Sequence, residues 1–207
     1  MKINGVVGVV SLSALLTGCT LSESIIIEAP VEAVWGYVSA SENAAEWSVY
    51  FHHIAPLPSA VNDGAVGSIR RCFRSAAEME DIWWDELVLE VREQRYRRIL
   101  SYNAHGLNPP FLNTGEFYVH QKYEPLNSAR TRLTFSAEQL RPAGLLMKVR
   151  FHGAAREGRK MFRLNLENIR TAVEAQHQQR PVERLHPYLP PGRHKLDGRR
   201  GSTAVRT

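Results

Sequence analysis

The sequence predicts an α+β domain in which a curved antiparallel sheet of about seven strands wraps around one long C-terminal helix. A short strand near the start is followed at once by two short helical segments. About six strand-like segments then succeed one another at hairpin-length spacing, which implies an antiparallel meander. The last periodic segment is a long amphipathic helix, whose single apolar stripe must cover the concave face of the sheet.

The first strand and the first helix meet at a proline. Residues 24–28 contain three consecutive isoleucines, which is typical of a strand, and Pro30 suits the first turn of the helix that follows. A second short helix is expected over residues 42–47. The apolar positions of the first helix recur at i, i+3, i+4 and i+7, and they are Val31, Val34, Trp35 and Val38.

Turn residues separate the remaining segments. Breaks are expected at residues 62–64, 108–110 and 125–128, which are rich in Asn, Asp, Gly and Pro. The strand-like segments cover residues 51–55, 67–74, 82–91, 97–104, 115–123 and 130–137. The long helix ends near His177, and its apolar stripe comprises Phe162, Leu166, Ile169 and Val173. Gly153 and Gly158 are expected to weaken its first half. A sheet that twists away from a straight helix leaves a hollow between them.

The N-terminus has the order of an export signal. Lys2 precedes about a dozen apolar residues, too few for a hydrocarbon core of ~30 Å. The run closes on Leu16-Thr17-Gly18-Cys19, which resembles a bacterial lipobox. Residues 1–18 are then a signal peptide, and Cys19 carries the lipid that tethers the protein to a membrane. An ordinary signal peptide or an uncleaved anchor is the alternative.

This segment also predicts a location. A lipidated Cys19 places the protein on the periplasmic side of the cell envelope. Thr20 follows the cysteine where an aspartate commonly retains lipoproteins at the inner membrane, so the outer membrane is favoured. A cytoplasmic protein is expected instead if the start of the coding sequence is misplaced.

Composition indicates one domain and a charged tail. The 189 residues from Cys19 onward are enough for a single core, expected over residues 22–177. The net charge of +5 lies in residues 178–207, which contain seven basic and two acidic side chains, whereas the rest of the chain is neutral. This tail is rich in Pro and Gly and is expected to be disordered. The charge pattern argues against a nucleic-acid partner.

Familiar catalytic and metal-binding motifs are missing. The sequence contains no nucleophile elbow, no phosphate-binding glycine loop and no His-Glu-x-x-His. His52 and His53 are adjacent on a predicted strand, where neighbouring side chains point to opposite faces and suit one metal ion poorly. With Cys19 lipidated, Cys72 is the only remaining thiol, and burial in a strand is expected. Neither a metal ion nor a cofactor is predicted.

Ile25 to Trp35, with the sequence IIIEAPVEAVW, resembles the opening signature of the START-like, or SRPBCC, superfamily. Further likenesses follow in the family's order at Glu42-Asn43 to Glu46-Trp47, Gly67 to Arg71, Asp85-Glu86-Leu87 and Leu100-Ser101-Tyr102. The resemblance covers about residues 22–177. It implies the helix-grip fold of polyketide cyclase/dehydratase-like and lipid-transfer proteins, with a deep apolar pocket and no single reaction. Residues 47–50 lack the lysine of plant abscisic acid receptors, so abscisic acid is not implied as the ligand.

The resemblance also implies a site. Arg70 and Glu86 point into the pocket and meet, with Tyr102 on the neighbouring strand. Either charged group can hydrogen-bond a ligand. The alternative is that Arg70 and Glu86 form a cross-strand ion pair that contacts no ligand. Because residues two apart share a face of a strand, Cys72 accompanies Arg70 and Trp84 accompanies Glu86. The predicted apolar lining comprises Phe117, Val119, Leu133, Phe135, Phe162 and Leu166. Core packing alone is the alternative explanation for these residues.

Periodicity along one strand leaves two carboxylates open. Trp83, Asp85 and Leu87 belong to a more apolar alternating set than Trp84 and Glu86. The family pattern places Glu86 inward, whereas periodicity favours Asp85. A β-bulge near Asp85 would switch faces within the strand and reconcile the two.

Three functions follow. The first is binding or transport of an apolar small molecule, a lipid or an aromatic metabolite. The second is a polyketide cyclase/dehydratase-like enzyme, for which Glu86, Asp85, Arg70 and Tyr102 are the candidate catalytic residues. The third is a structural or interaction lipoprotein with a filled interior. A cavity of ~300 Å³ or more would favour a ligand.

Overall fold

The computed structural model describes residues 20–58, 61–106, 116–139 and 145–179. Its strands are β1 (Thr20–Ile27), β2 (His53–Pro56), β3 (Ile69–Phe73), β4 (Trp83–Arg92), β5 (Tyr96–His105), β6 (Phe117–Asn127) and β7 (Arg130–Gln139). Its helices are α1 (Val31–Ser39), α2 (Ala44–Trp47) and α3 (Leu145–Gln179). The predicted order of elements is confirmed.

The seven strands form one antiparallel sheet in the order β1-β7-β6-β5-β4-β3-β2. Consecutive strands from β2 to β7 pair as hairpins, and β1 returns to pair with β7, with Ile25 opposite Leu133. Helix α3 packs against β1 and β7, and α1 and α2 pack against α3. The predicted helix-grip architecture, a curved sheet around a long C-terminal helix, is therefore confirmed.

The core fills the space between α3, α1 and one end of the sheet. Ile27, Val34 and Leu133 are fully buried there, together with Ile169 of α3. The predicted stripe of α3 takes part, because Leu166 is 1% exposed and packs into this cluster. Complete burial of such aliphatic side chains contributes about 1.5–3 kcal/mol each.

Helix α3 continues through Gly153 and Gly158, where weakness was expected. Gly158 lies against β1, and a Cβ added there would come within 3.0 Å of Leu21 Cδ2. The missing side chain thus allows close approach between helix and strand. Strand β1 also begins earlier than predicted, because residues 20–23 pair with residues 135–138 of β7 although Ser22 and Glu23 are polar.

Several predicted segments lie outside the described residues. They are the signal peptide over residues 1–18, Cys19, the turn at 108–110 and the tail from residue 180 onward. Residues 178 and 179, assigned to the tail, instead extend α3. Within the described ranges, no helix has the length and apolarity needed to cross a membrane.

Candidate functional site

A cavity lies between the concave face of the sheet and the helices α2 and α3. It has a volume of about 110 Å³. Of the predicted lining residues, it brings together Arg70, Trp84, Glu86, Phe117, Val119, Phe135 and Phe162. The volume is below the ~300 Å³ at which pockets for drug-sized molecules begin. The site is therefore a small, mostly apolar chamber.

Arg70 and Glu86 form a buried ion pair in the wall of this cavity. They lie directly opposite each other on β3 and β4. Arg70 donates from Nε and Nη2 to the same oxygen, Oε2 of Glu86, at 2.9 and 2.7 Å. Burial by itself lowers the pKa of Arg70, but the Glu86 carboxylate outweighs burial and holds that pKa above its usual range. The two charges neutralise each other inside an apolar wall.

The remaining atoms of the pair have weaker partners. Arg70 Nη1 donates to Ser41 Oγ at 3.3 Å. The indole Nε1 of Trp84 donates to Oε1 of Glu86 at 3.4 Å, close to the limit for a hydrogen bond. Glu86 thus keeps acceptor capacity at Oε1, on the side of its carboxylate that Arg70 does not occupy.

Cys72 lies beside the pair on β3, interacts with Glu86 through its thiol, and is outside the cavity wall. Its side chain is completely buried. Burial raises the pKa of the Cys72 thiol well above its usual range, and the neighbouring Glu86 carboxylate adds to the shift. A buried, protonated thiol is a poor nucleophile. Cys72 was expected to line the cavity. It is instead buried next to the lining residues and supports them.

Asp85 and Tyr102 lie on the other face of the sheet. Asp85 accepts hydrogen bonds from Arg71 Nε at 2.7 Å and from Asn103 Nδ2 at 2.7 Å. Tyr102 is directly opposite Asp85 on β5 and shares its convex face. Of the two carboxylates that the sequence left open, Glu86 faces the cavity. The predicted catalytic group of four is therefore divided, and only Arg70 and Glu86 remain together.

The face switch along β4 occurs further on than predicted. Near Asp85 the extra residue belongs to β5, where residues 103 and 104 oppose Trp84 alone. Asn103 takes a left-handed conformation there, with φ of 51°. The bulge in β4 itself is at Leu89, between the pairs made by Val88 and Glu90. Trp84, Glu86 and Val88 consequently share one face.

Apolar periodicity favoured Asp85 because the convex face of β4 is covered locally. The Arg71 guanidinium lies 3.9 Å from the centre of the Trp83 ring. The His105 ring stacks on Trp83, with centroids 5.2 Å apart. An apolar side chain can therefore be buried on this outer face, and apolarity does not distinguish inside from outside here.

Two leucines and the histidine pair also differ from expectation. Leu133 of β7 and Leu166 of α3 lie in the core cluster with residues of α1 and outside the cavity wall, in which both were expected to lie. His52 and His53 bring their Nδ1 atoms within 3.0 Å of each other, although opposite faces were expected. The reason is that β2 begins at His53, so strand alternation does not include His52.

Sequence reasoning missed several polar residues of the wall, of which Gln121 and Asn165 make hydrogen bonds that shape it. Gln121 follows Phe117 and Val119 on the inward face of β6, and its Oε1 accepts a hydrogen bond from Tyr123 Oη at 3.1 Å. Asn165 of α3 accepts one from the backbone N–H of Val49 at 2.8 Å and fixes the segment after α2. The available signal was a polar residue within an apolar pattern, which is the strand alternation of β6 for Gln121 and the helical stripe of α3 for Asn165.

The chain belongs to the family described as polyketide cyclase / dehydrase and lipid transport, whose model matches residues 18–174. This confirms the resemblance in fold and family. The lipoprotein signal stays a prediction. Among curated protein sequences, no match to the chain was found.

Solved structures share the fold at low sequence identity. The Zhui aromatase/cyclase from Streptomyces sp. R1128 is 15% identical, with a TM-score of 0.57 over 78% of this chain and 96% of that one. Norcoclaurine synthase from Thalictrum flavum, in complex with dopamine and hydroxybenzaldehyde, is 11% identical, with a TM-score of 0.55 over 86% and 98%. The di-domain aromatase/cyclase StfQ of the steffimycin pathway is 15% identical, with a TM-score of 0.52 over 77% and 46%.

Proposed function

We propose that the protein binds a small aromatic molecule in the cavity between sheet and α3, with a polar group of the ligand at the Arg70–Glu86 pair. One observation carries this proposal: apolar and aromatic walls converge on a buried ion pair whose outer atoms retain hydrogen-bonding capacity. A small-molecule site typically combines these two features.

The size of the cavity supports an aromatic metabolite over a long-chain lipid. Its volume of about 110 Å³ is far too small for a long acyl chain and is nearer the scale of a single ring. For comparison, an engineered apolar cavity of about 150 Å³ binds benzene. Ring-shaped side chains of Trp84, Phe135 and Phe162 surround the space and offer faces and edges for aromatic contact.

Tryptophan fluorescence of the purified full-length protein tests this proposal. We expect 4-hydroxybenzaldehyde to quench the emission saturably, and palmitate to have no such effect. The quench is expected to be smaller in Trp84→Phe, because Trp84 lines the cavity. Trp83→Phe is the matched control. The Trp83 ring stacks on His105 on the convex face and does not line the cavity, so the quench should persist in this variant.

Native mass spectrometry of gently purified protein complements the titration. A co-purifying small aromatic compound would support the proposal. Recovery of ligand-free protein, together with no saturable quench by single-ring phenols, aldehydes or benzoates, would contradict it. Saturable binding of palmitate, without binding of the aromatic compounds, would contradict an aromatic ligand and favour a lipid.

We further propose that a lipid on Cys19 tethers this domain to the periplasmic side of the envelope. The apolar segment that closes on Leu16-Thr17-Gly18-Cys19 supports the proposal. In cells fed a clickable palmitate analogue, the wild-type protein and the control variant Cys72→Ser should incorporate the label. The Cys19→Ser variant should incorporate none. A second acyl chain makes anchoring stable, since each buried methylene contributes ~0.8 kcal/mol. Unlabelled wild-type protein in the cytoplasm would contradict the proposal.

A further inference from the structure

The interior holds a second arginine that the proposed site does not use. Arg97 of β5 is 1% exposed. Its Nη2 donates to the backbone carbonyl oxygen of Gly64 at 3.4 Å. Its Nε and Nη1 are buried and have no hydrogen-bond partner among the described residues. A guanidinium has five N–H donors, so most of this group's capacity is unmet.

The charges inside the sheet do not balance. The buried charged side chains of the described residues are Arg70, Asp85, Glu86 and Arg97. Asp85 lies on the convex face and is paired with Arg71. Glu86 is paired with Arg70. Arg97 is left without a carboxylate on the concave side, which therefore carries one uncompensated positive charge.

Nearby carboxylates do not cancel this charge. Asp63 attracts Arg97 electrostatically, but it is exposed and forms no salt bridge within the described chain. Glu138, at the edge of the cavity, has a side chain that is 43% exposed and lies 3.4 Å from His120 Nε2. Solvent screens an exposed charge much more than a buried one.

Arg97 remains charged at neutral pH. Burial, followed by repulsion from Arg70, lowers the pKa of Arg97 to about 10. That value is still well above neutral pH, so the guanidinium keeps its proton. Burying a cation without a partner is costly, and an anion brought into the same low-dielectric space offsets the cost.

The Arg97 charge interacts electrostatically with Arg70 and Glu86, which both line the cavity. Arg97 is directly opposite Gln121, which lines the cavity, and two residues before Ile99, which also lines it. The hydroxyl of Tyr123 occupies Oε1 of Gln121 and so leaves the amide Nε2 as the donor end. The cavity thus has a hydrogen-bond donor at the end nearest an unbalanced positive charge.

We propose that the ligand of this cavity is an aromatic carboxylate, and that the buried charge of Arg97 sets the preference for an anion. This inference rests on the proposed function and names the class of its ligand. The carboxylate lies near Gln121, whose amide Nε2 can donate to it. Arg97 acts on it through its field, which falls off slowly in a low-dielectric interior. Arg97 is accordingly a specificity-determining residue and not a catalytic one.

Calorimetric titration of the full-length protein with benzoate and with benzamide, its neutral isostere, tests this inference. We expect the wild type to bind benzoate at least ~10-fold more tightly, the scale of one unit charge at moderate distance in a protein. In Arg97→Met the ratio should fall to ~1 or below, while the affinity for benzamide is retained.

The matched control is Arg98→Met, which removes the same charge from the convex face. The Arg98 guanidinium lies 3.9 Å from the centre of the Tyr118 ring, on the opposite side of the sheet from Arg97. The benzoate preference should persist in this variant. An unchanged preference in a folded Arg97→Met, or an equal loss in both variants, would overturn the assignment to Arg97.

A measurement on the wild type decides the matter if Arg97→Met fails to fold. 4-Nitrophenol is the probe, because its phenol and phenolate forms absorb at different wavelengths. Its absorbance is measured with and without protein at the pH at which half of the free probe is ionised. A positive interior should increase the ionised fraction of the bound probe, and a decreased fraction would overturn the inference.

The titrations also separate the two proposals. Binding of benzamide but not benzoate would overturn this inference alone. Binding of neither compound, with no ligand found by native mass spectrometry, would overturn the proposed function as well.

Discussion

Replacing Glu86 by glutamine is expected to lower the free energy of unfolding by about 3–5 kcal/mol, the usual cost of leaving one partner of a buried ion pair unpaired. The variant leaves Arg70 and Arg97 buried with no buried carboxylate among the described residues on their side of the sheet. Both N–H groups of Arg70 that now converge on Oε2 would face a neutral amide oxygen. Urea unfolding monitored by circular dichroism measures the change.

Two further variants separate charge from packing. The double variant Arg70→Met with Glu86→Gln should recover most of the loss, because neither side chain then leaves the other's charge unpaired. Glu90→Gln is the control on the same strand. Its pair with Arg92 is exposed, with 37% and 66% of the two side chains accessible, and we expect a change below about 0.5 kcal/mol. A loss below about 1 kcal/mol in Glu86→Gln would contradict the buried pair.

Replacing Ile169 by alanine is expected to cost about 2–5 kcal/mol, which is the range for deleting a large aliphatic side chain from a core. Ile169 is completely buried in the cluster that joins α3 to the sheet and to α1. It does not line the cavity, so the loss reflects the attachment of α3 and leaves the ligand chamber in place. Chemical unfolding gives the energy.

Arg170→Ala is the control for that variant. Arg170 is the next residue of α3 and is exposed, so its removal should change stability by no more than about 0.5 kcal/mol. Similar losses in the two variants would show that α3 is not held through this stripe. A large loss in Ile169→Ala alone would assign the attachment of the helix to the predicted apolar face.

The fold leaves the choice of reaction or ligand to the site. Proteins of this fold include an aromatase/cyclase and norcoclaurine synthase, at 15% and 11% identity, and such similarity establishes architecture only. In this chain the cavity contains one buried ion pair, and the Asp85 carboxylate lies on the other face. Under the proposed function, charge balance and cavity size are therefore the properties expected to distinguish one ligand from another.

Much of the architecture could be predicted because it depends on local patterns. The apolar stripe of α3, the helical spacing after Pro30 and the succession of hairpins are all encoded within short windows of sequence. These patterns predicted an antiparallel sheet around a helix, and the structure confirmed it. The apolar alternation that ends at Gln121 was equally local, but its polar last member was not interpreted as part of the wall.

The sequence alone thus determined the kind, number and order of the elements, since each follows from the periodicity of its own residues. Only the tertiary structure decided which face of β4 is inside, because Arg71 and His105 cover Trp83 on the convex face and allow apolar side chains on both faces of the strand. It also decided that Tyr102 and Leu166 lie outside the cavity and that Arg97 is buried beside it. These outcomes depend on contacts between distant segments, where strand register and the close approach of Gly158 to Leu21 set the distance between sheet and helix.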